Sequence, residues 1–112
     1  MERSELNTVL TQWLHNEMDE LQVWQWAGEQ LEQGFAPADE LVKDIVELLA
    51  ALPYEMVLRE DLAVFLDALA NPAAETDLSI NLLWNHMDTV NVDSRRLQHA
   101  DHPFYGQFAN AD

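Results

Sequence analysis

The chain has 112 residues, with 21 acidic and 5 basic side chains, a net charge of −16, 48% hydrophobic residues and no cysteine. The lack of cysteine excludes disulfides, thiolate nucleophiles and cysteine-ligated zinc, and the high hydrophobic fraction argues against disorder. The charge makes nucleic acid and anionic membranes unfavourable partners and favours basic proteins. Residues 1–33 carry 7 acids and 1 base, residues 34–70 carry 8 and 2, and residues 71–112 carry 6 and 2, so the charge is spread along the chain.

Two helices are predicted in the first third of the chain. Ser4 is the predicted N-cap of the first, whose apolar residues recur at helical spacing. They are Leu6, Val9, Leu10, Trp13 and Leu14. Asn16 is the predicted N-cap of the second, because acids follow it in the first turn, where the helix dipole favours them. The helices therefore separate at His15 and Asn16, and Gly34 ends the second. A single helix over residues 5–33 is the alternative, because the apolar line has a continuation. That continuation consists of Met18, Leu21, Trp24, Gly28 and Leu31.

The middle of the chain predicts two more helices. The first opens at Pro37, runs to about Leu52 and stops before Pro53. Its inward positions are apolar: Leu41, Val42, Ile45, Leu48, Leu49 and Leu52. Its other face carries the acids Glu40, Asp44 and Glu47. The second helix has an apolar line and ends at Asn71-Pro72, and residues 71–76 form a loop. That line consists of Leu62, Phe65, Leu66 and Leu69.

The last third predicts one longer helix, one short helix and an aromatic tail. Asp77 is the predicted cap of LSINLLWNHMDTV, and Asp93 is the predicted cap of SRRLQHA. Residues 103–112 carry aromatic side chains without periodicity, and we expect this irregular tail to fold back on the body. Because no segment shows sustained strand alternation, the sequence predicts an all-α fold. It is a compact bundle of five or six short helices in a single domain over residues 1–112.

The sequence offers little chemistry for catalysis or metal binding. His99 and His102 could supply two ligands from one helical turn, but Pro103 ends that helix and no second ligand pair has matching spacing. No serine stands in a nucleophile turn, the glycines form no phosphate loop, and no calcium-binding loop is present. We therefore expect no enzymatic activity, no cofactor and no metal. The N-terminal residues include no apolar export segment, so a cytoplasmic location is expected.

Trp24 and Trp26 pose a packing question, because at about 100° per residue two positions this close point to opposite sides of a helix. Trp24 falls within the apolar line and is assigned to the core. Trp26 falls on the polar face near Asp19 and needs another neighbour. In one interpretation the aromatic tail or a further helix covers it. In the other, Trp26 is an exposed anchor among acids, and an arginine or lysine of a partner stacks on it.

These features predict a non-enzymatic acidic binding protein that docks on a basic protein surface. The most concrete version is an inhibitor of a nucleic-acid-handling protein, either an immunity protein for a nuclease toxin or a nucleic-acid mimic of the phage type. No direct contact with nucleic acid or membrane is expected. The predicted partner-binding residues are Asp19, Glu20, Trp26, Glu40, Asp44 and Glu47. The alternative is a structural or regulatory helical subunit, a homo-oligomer (for example a homodimer) or an adaptor, whose charge serves only solubility.

Overall fold

The computed structural model describes residues 1–108, and within them the chain forms seven α-helices, three short 3₁₀ turns and no strand. The α-helices are α1 (Arg3–Leu14), α2 (Glu20–Glu32), α3 (Glu40–Ala50), α4 (Leu52–Glu55), α5 (Leu62–Ala70), α6 (Thr76–Met87) and α7 (Val92–Gln98). The 3₁₀ turns are Arg59–Asp61, Ala73–Glu75 and Tyr105–Phe108. The predicted all-α class is confirmed, with α4 as a one-turn helix that the sequence did not reveal. Residues 109–112 of the predicted tail lie outside the described residues.

The predicted break between the first two helices is confirmed, but Asn16 does not cap α2. Asn16 has φ 62°, a left-handed conformation that ends α1, whereas an N-cap is extended. The N-cap of α2 is Asp19, whose carboxylate accepts the backbone N–H of Gln22, while the Gln22 side chain accepts the backbone N–H of Asp19. This reciprocal pair satisfies two of the N–H groups that a helix start leaves without partners.

Other predicted boundaries shift for similar reasons. Helix α3 begins after Asp39, whose carboxylate accepts the backbone N–H of Val42, instead of at Pro37. The predicted helix to Leu52 is divided, because Pro53 has no N–H to bond within α3 and instead lies in the first turn of α4. Asn91, and not Asp93, caps α7, because its side chain accepts the backbone N–H of Ser94. Asp77 lies inside α6, which begins at Thr76, and Ser4 lies inside α1.

Helix α3 is the centre of the bundle. It packs against α1, α2, α5 and α6, and most of its side chains are buried. The largest fully buried side chains come from α1, α2, α3, α5, α6 and the segment around α4: Trp13, Phe65, Leu6, Leu10, Leu41, Ile45, Leu49, Leu52, Met56, Leu62, Leu83 and Val23. The result is one globule with extents of 41 × 29 × 26 Å. None of its helices, over residues 1–108, has the length and apolar character needed to cross a membrane.

A buried ion-pair network attaches α7 to the body. Asp61 is 0% exposed and accepts hydrogen bonds from both terminal nitrogens of Arg95 at 2.7 and 3.0 Å. It also accepts the backbone N–H of Leu58 at 2.8 Å and a bond from Nε2 of His86 at 2.7 Å. Burial alone would raise the pKa of Asp61, but these bonds outweigh it and hold the pKa below its ordinary value. An ionised carboxylate only accepts hydrogen bonds, so His86 carries a proton on Nε2.

The aromatic tail folds back on the body, as predicted. Phe104 and Tyr105 are buried, and Phe108 is half-buried. The Tyr105 hydroxyl donates a hydrogen bond to the carbonyl of Val57, and burial raises the pKa of this phenol well above its ordinary value. The tail therefore closes one side of the bundle over the segment between α4 and α5.

Candidate protein-docking surface

The predicted acidic face of α3 has partners within the chain. Glu40 and Glu47 each lie 3.9 Å from the ammonium of Lys43, which stands between them on the same helix. Asp44 accepts a hydrogen bond from the indole N–H of Trp84 at 2.9 Å. These three acids share one side of α3, as the sequence predicted, but each already has a contact that a partner would have to replace.

Asp19 and Glu20 lie apart from those acids, at the start of α2. Asp19 uses its carboxylate as the helix cap described above. The Glu20 side chain is only 12% exposed, 3.6 Å from the guanidinium of Arg59 and 3.3 Å from Nε2 of His102. Glu20 therefore stabilises the contact between α2 and the tail and offers little surface to a partner.

The two tryptophans of α2 flank its buried line, which answers the packing question. Val23 and Ala27 are fully buried and mark the inward direction of the helix. Trp24 and Trp26 lie about 80° to either side of that direction, so each is half-buried at one edge of the same interface. Trp26 packs against the core and is not a fully exposed anchor. The small inward residues allow α2 to pack closely on α3.

Within the described residues the aromatic rings of the tail pack on Trp24, while Trp26 packs against the core. The Trp24 ring lies 5.5 Å from the rings of Phe104 and Phe108 and 6.5 Å from that of Tyr54, all at steep angles. Its indole N–H donates to the carbonyl of Ala50 at 2.8 Å, which satisfies one free carbonyl at the end of α3. These contacts hold the indole in one orientation.

The apolar line that the sequence assigned to the core lies instead along the outer edge of α2. Leu21 is 45% exposed and Leu31 is 41% exposed, with Trp24 and Gly28 between them. The buried line, marked by Val23 and Ala27, is rotated by about 100° around the helix from the predicted line. The prediction did not include these two residues among the core positions. We call Leu21, Trp24, Gly28 and Leu31 the outer α2 line.

An open cleft lies beside the outer α2 line. It has a volume of about 480 Å³ and is lined by Trp24, Gln25, Gly28, Glu29 and Glu32. Glu29 and Glu32 are not among the partner-binding residues predicted from the sequence. The sequence pattern that could have identified them is Trp24 followed four residues later by a glycine, with two acids nearby on the same helix. That pattern places an aromatic wall and carboxylates around a position without a side chain.

A second cleft of about 430 Å³ lies at the start of α2, between Glu20, Arg59 and His102. Nδ1 of His102 accepts the backbone N–H groups of Phe104 and Tyr105, so Nε2 carries the proton, and Nε2 lies 3.3 Å from the Glu20 carboxylate. His102 therefore fixes the start of the tail next to α2. Within residues 1–108, no group of three or more His, Asp or Glu side chains is arranged to hold a metal ion.

The basic residues of the chain all contact its own groups. Arg3 pairs with Asp39 at 2.8 Å and donates to the carbonyl of Asn71 at 2.7 Å. Arg96 donates to the carbonyl of Tyr54 at 3.2 Å, and Lys43, Arg59 and Arg95 form the ion pairs given above. The carboxylates of Glu29 and Glu32 have no Lys or Arg partner among the described residues. Unpaired negative charge therefore remains on the outer side of α2.

Comparison with protein-family models, with curated proteins and with solved structures finds no match to this chain.

Proposed function

We propose that this protein is a non-enzymatic acidic binding protein that docks on a basic surface of another protein. The observation that carries the proposal is that all five basic side chains contact groups of the chain itself, which leaves most of the acids in residues 1–108 without a Lys or Arg partner. A partner rich in Arg and Lys would supply those cations. Charge complementarity of this kind steers association and selects partners.

The most concrete version of the proposal is inhibition of a nucleic-acid-handling protein. Such proteins expose basic surfaces, and an acidic protein that covers one would exclude the nucleic acid. Charge density favours specific docking over general mimicry of a duplex. The 16 net charges on 6292 Å² of accessible surface correspond to about one per 390 Å². Duplex DNA, treated as a cylinder of about 10 Å radius, has about one charge per 110 Å².

The test is capture of partners on the immobilised protein from a lysate of its own cells at low salt, followed by purification of each captured protein. We expect to identify a basic protein whose affinity for this chain falls steeply between ~50 mM and ~300 mM salt, because screening weakens exposed charge pairs. The captured protein should lose its own binding to nucleic acid when the acidic protein is added. Recovery of only further copies of this chain, or of partners insensitive to salt, would reject the proposal.

A homo-oligomeric role is the second candidate, because apolar side chains are exposed on α6. Leu78 and Leu82 lie one turn apart there, with 60% and 40% of their surface exposed. Sedimentation equilibrium over a range of protein concentrations separates the two candidates. A monomer at all concentrations supports docking on a different protein, and a salt-insensitive dimer supports self-association.

A further inference from the structure

The outer α2 line has an exposed leucine at each end, Leu21 and Leu31, and between them Trp24, whose ring is half-buried against the tail. Its ends, Leu21 and Leu31, are ten positions apart, so the line is about 15 Å long at the rise of an α-helix. A strip of this length matches roughly ten residues of a helix laid along it. Amphipathic helices commonly bind in this way, by placing their apolar residues on an exposed groove.

Gly28 opens the cleft in the middle of this line, and packing inside the protein does not require a glycine there. A Cβ built at Gly28 meets no atom within 4 Å. Glycine in a helix interior costs about 1 kcal/mol relative to alanine, and the open space around Gly28 shows no close contact that would explain this cost. What the glycine provides is space beside the Trp24 indole.

The walls of the cleft have the chemistry of a cation site. The Trp24 indole is held by its hydrogen bond to Ala50 and by the ring of Phe108, so it does not have to be ordered when a ligand binds. Glu29 and Glu32 are exposed at the border of the cleft and have no basic partner among residues 1–108. A guanidinium suits this combination better than an ammonium, because it stacks on aromatic rings and is more weakly hydrated.

We propose that the outer α2 line binds a basic amphipathic segment of the partner protein, with an arginine side chain of that segment entering the cleft. The arginine packs against Trp24 and pairs with Glu29 and Glu32, and apolar side chains of the segment cover Leu21 and Leu31. This inference rests on the proposed function, since it assigns a place to the same basic partner. Charge complementarity decides the occupant, because a second copy of the chain carries a further net charge of −16 and would be repelled from this acidic face.

The experiment uses the whole ¹⁵N-labelled protein and a designed probe, a short alanine-based helical peptide with leucines and arginines on one face. Two matched peptides replace the arginines with lysine or with neutral citrulline. We expect chemical-shift changes to concentrate at the backbone amides of residues 21–32 and at the Trp24 indole N–H. The arginine peptide should bind more tightly than the lysine peptide, and the citrulline peptide should lose most of its affinity.

Variants localise the binding. The double variant Glu29→Gln with Glu32→Gln should lower the affinity for the arginine peptide about tenfold, because two partly exposed charge pairs are lost. Glu2→Gln with Glu5→Gln is the matched control, because it removes the same charge at the same spacing, and it should change affinity less than about twofold. Gly28→Gln fills the cleft and should also weaken binding. An unchanged midpoint of unfolding in urea would show that the helix is intact in this variant.

Each outcome bears on one proposal. Equal weakening by the two double variants, or shifts that map outside residues 21–32, would overturn the arginine site. Concentration-dependent shifts of residues 21–32 without peptide would also overturn it, because the occupant would be a second copy. A natural basic partner whose salt-sensitive affinity is unchanged by Gly28→Gln leaves the proposed function standing and rejects this face. The absence of any basic partner rejects the proposed function instead.

Discussion

Replacing Asp61 by asparagine should cost this protein much of its stability. The carboxylate is fully buried and accepts bonds from Arg95, His86 and the backbone of Leu58. Asparagine keeps one acceptor oxygen but directs an NH₂ group at donors, and it leaves the guanidinium of Arg95, whose side chain is 14% exposed, without its counter-ion. Breaking a buried pair from one side costs about 3–5 kcal/mol. With an urea m-value of about 1–3 kcal/mol/M, the unfolding midpoint should fall by roughly 2 M.

The assay is urea unfolding followed by circular dichroism, with Asp67→Asn as control. Asp67 is exposed on the adjacent helix α5, so its replacement should change stability by less than about 0.5 kcal/mol. Adding Arg95→Met to Asp61→Asn should recover part of the loss, because the unpaired charge is then removed. A cost below about 1 kcal/mol for Asp61→Asn, or no recovery in the double variant, would refute the view that this network holds α7 in place.

Three further changes test other parts of the fold. Gly28→Ala should stabilise the protein by up to about 1 kcal/mol in the same assay, and a loss of stability would mean that the glycine is needed for packing. Asn16→Ala should destabilise the protein by about 1 kcal/mol whereas Asn16→Gly should not, because Asn16 has a left-handed backbone with φ 62°. Equal losses of stability in the two variants would contradict this conformation. Because the folded pKa values of Asp39 and Asp61 lie below the ordinary carboxylate value near 3.9, their contribution is complete above about pH 4 and is lost as pH falls through the folded values. In unfolding curves at decreasing pH, the wild type should therefore lose more stability than Asp61→Asn, and parallel curves would disprove the linkage.

The helical architecture could be predicted from the sequence because most helices carry a strong apolar period with breakers between them. Helix α3 is the clearest case, with its inward residues spaced three and four apart and Pro53 just beyond. The caps were less predictable, because several polar residues near each start are chemically able to cap. Asp19 and Asn16 both qualify by residue type, and only the backbone conformation distinguishes them.

The inward direction of α2 could not be predicted from hydrophobicity alone. Leu21 and Leu31 are the more apolar residues, yet the small side chains of Val23 and Ala27 face α3, because they allow the helices to approach. The same error assigned only Trp24 to the core, whereas both tryptophans are half-buried and pack against it. The partners of Asp61 were equally hidden, since Arg95 lies 34 positions away and no local pattern connects them. Arg95 and Arg96 both donate hydrogen bonds to backbone carbonyls of the chain, those of Met56 and Tyr54.

The distribution of internal contacts is the reason why we propose the outer side of α2, and not the acidic side of α3, as the docking face. On α3, Glu40 and Glu47 already share the cation of Lys43 and Asp44 already accepts a bond from Trp84, so a partner's cation meets carboxylates that are partly neutralised or bonded. On α2, Glu29 and Glu32 have no such competitor among the described residues, and the apolar residues beside them are already exposed. A partner's cation therefore gains a full charge pair there, and its apolar residues remove surface from water without displacing any part of the protein.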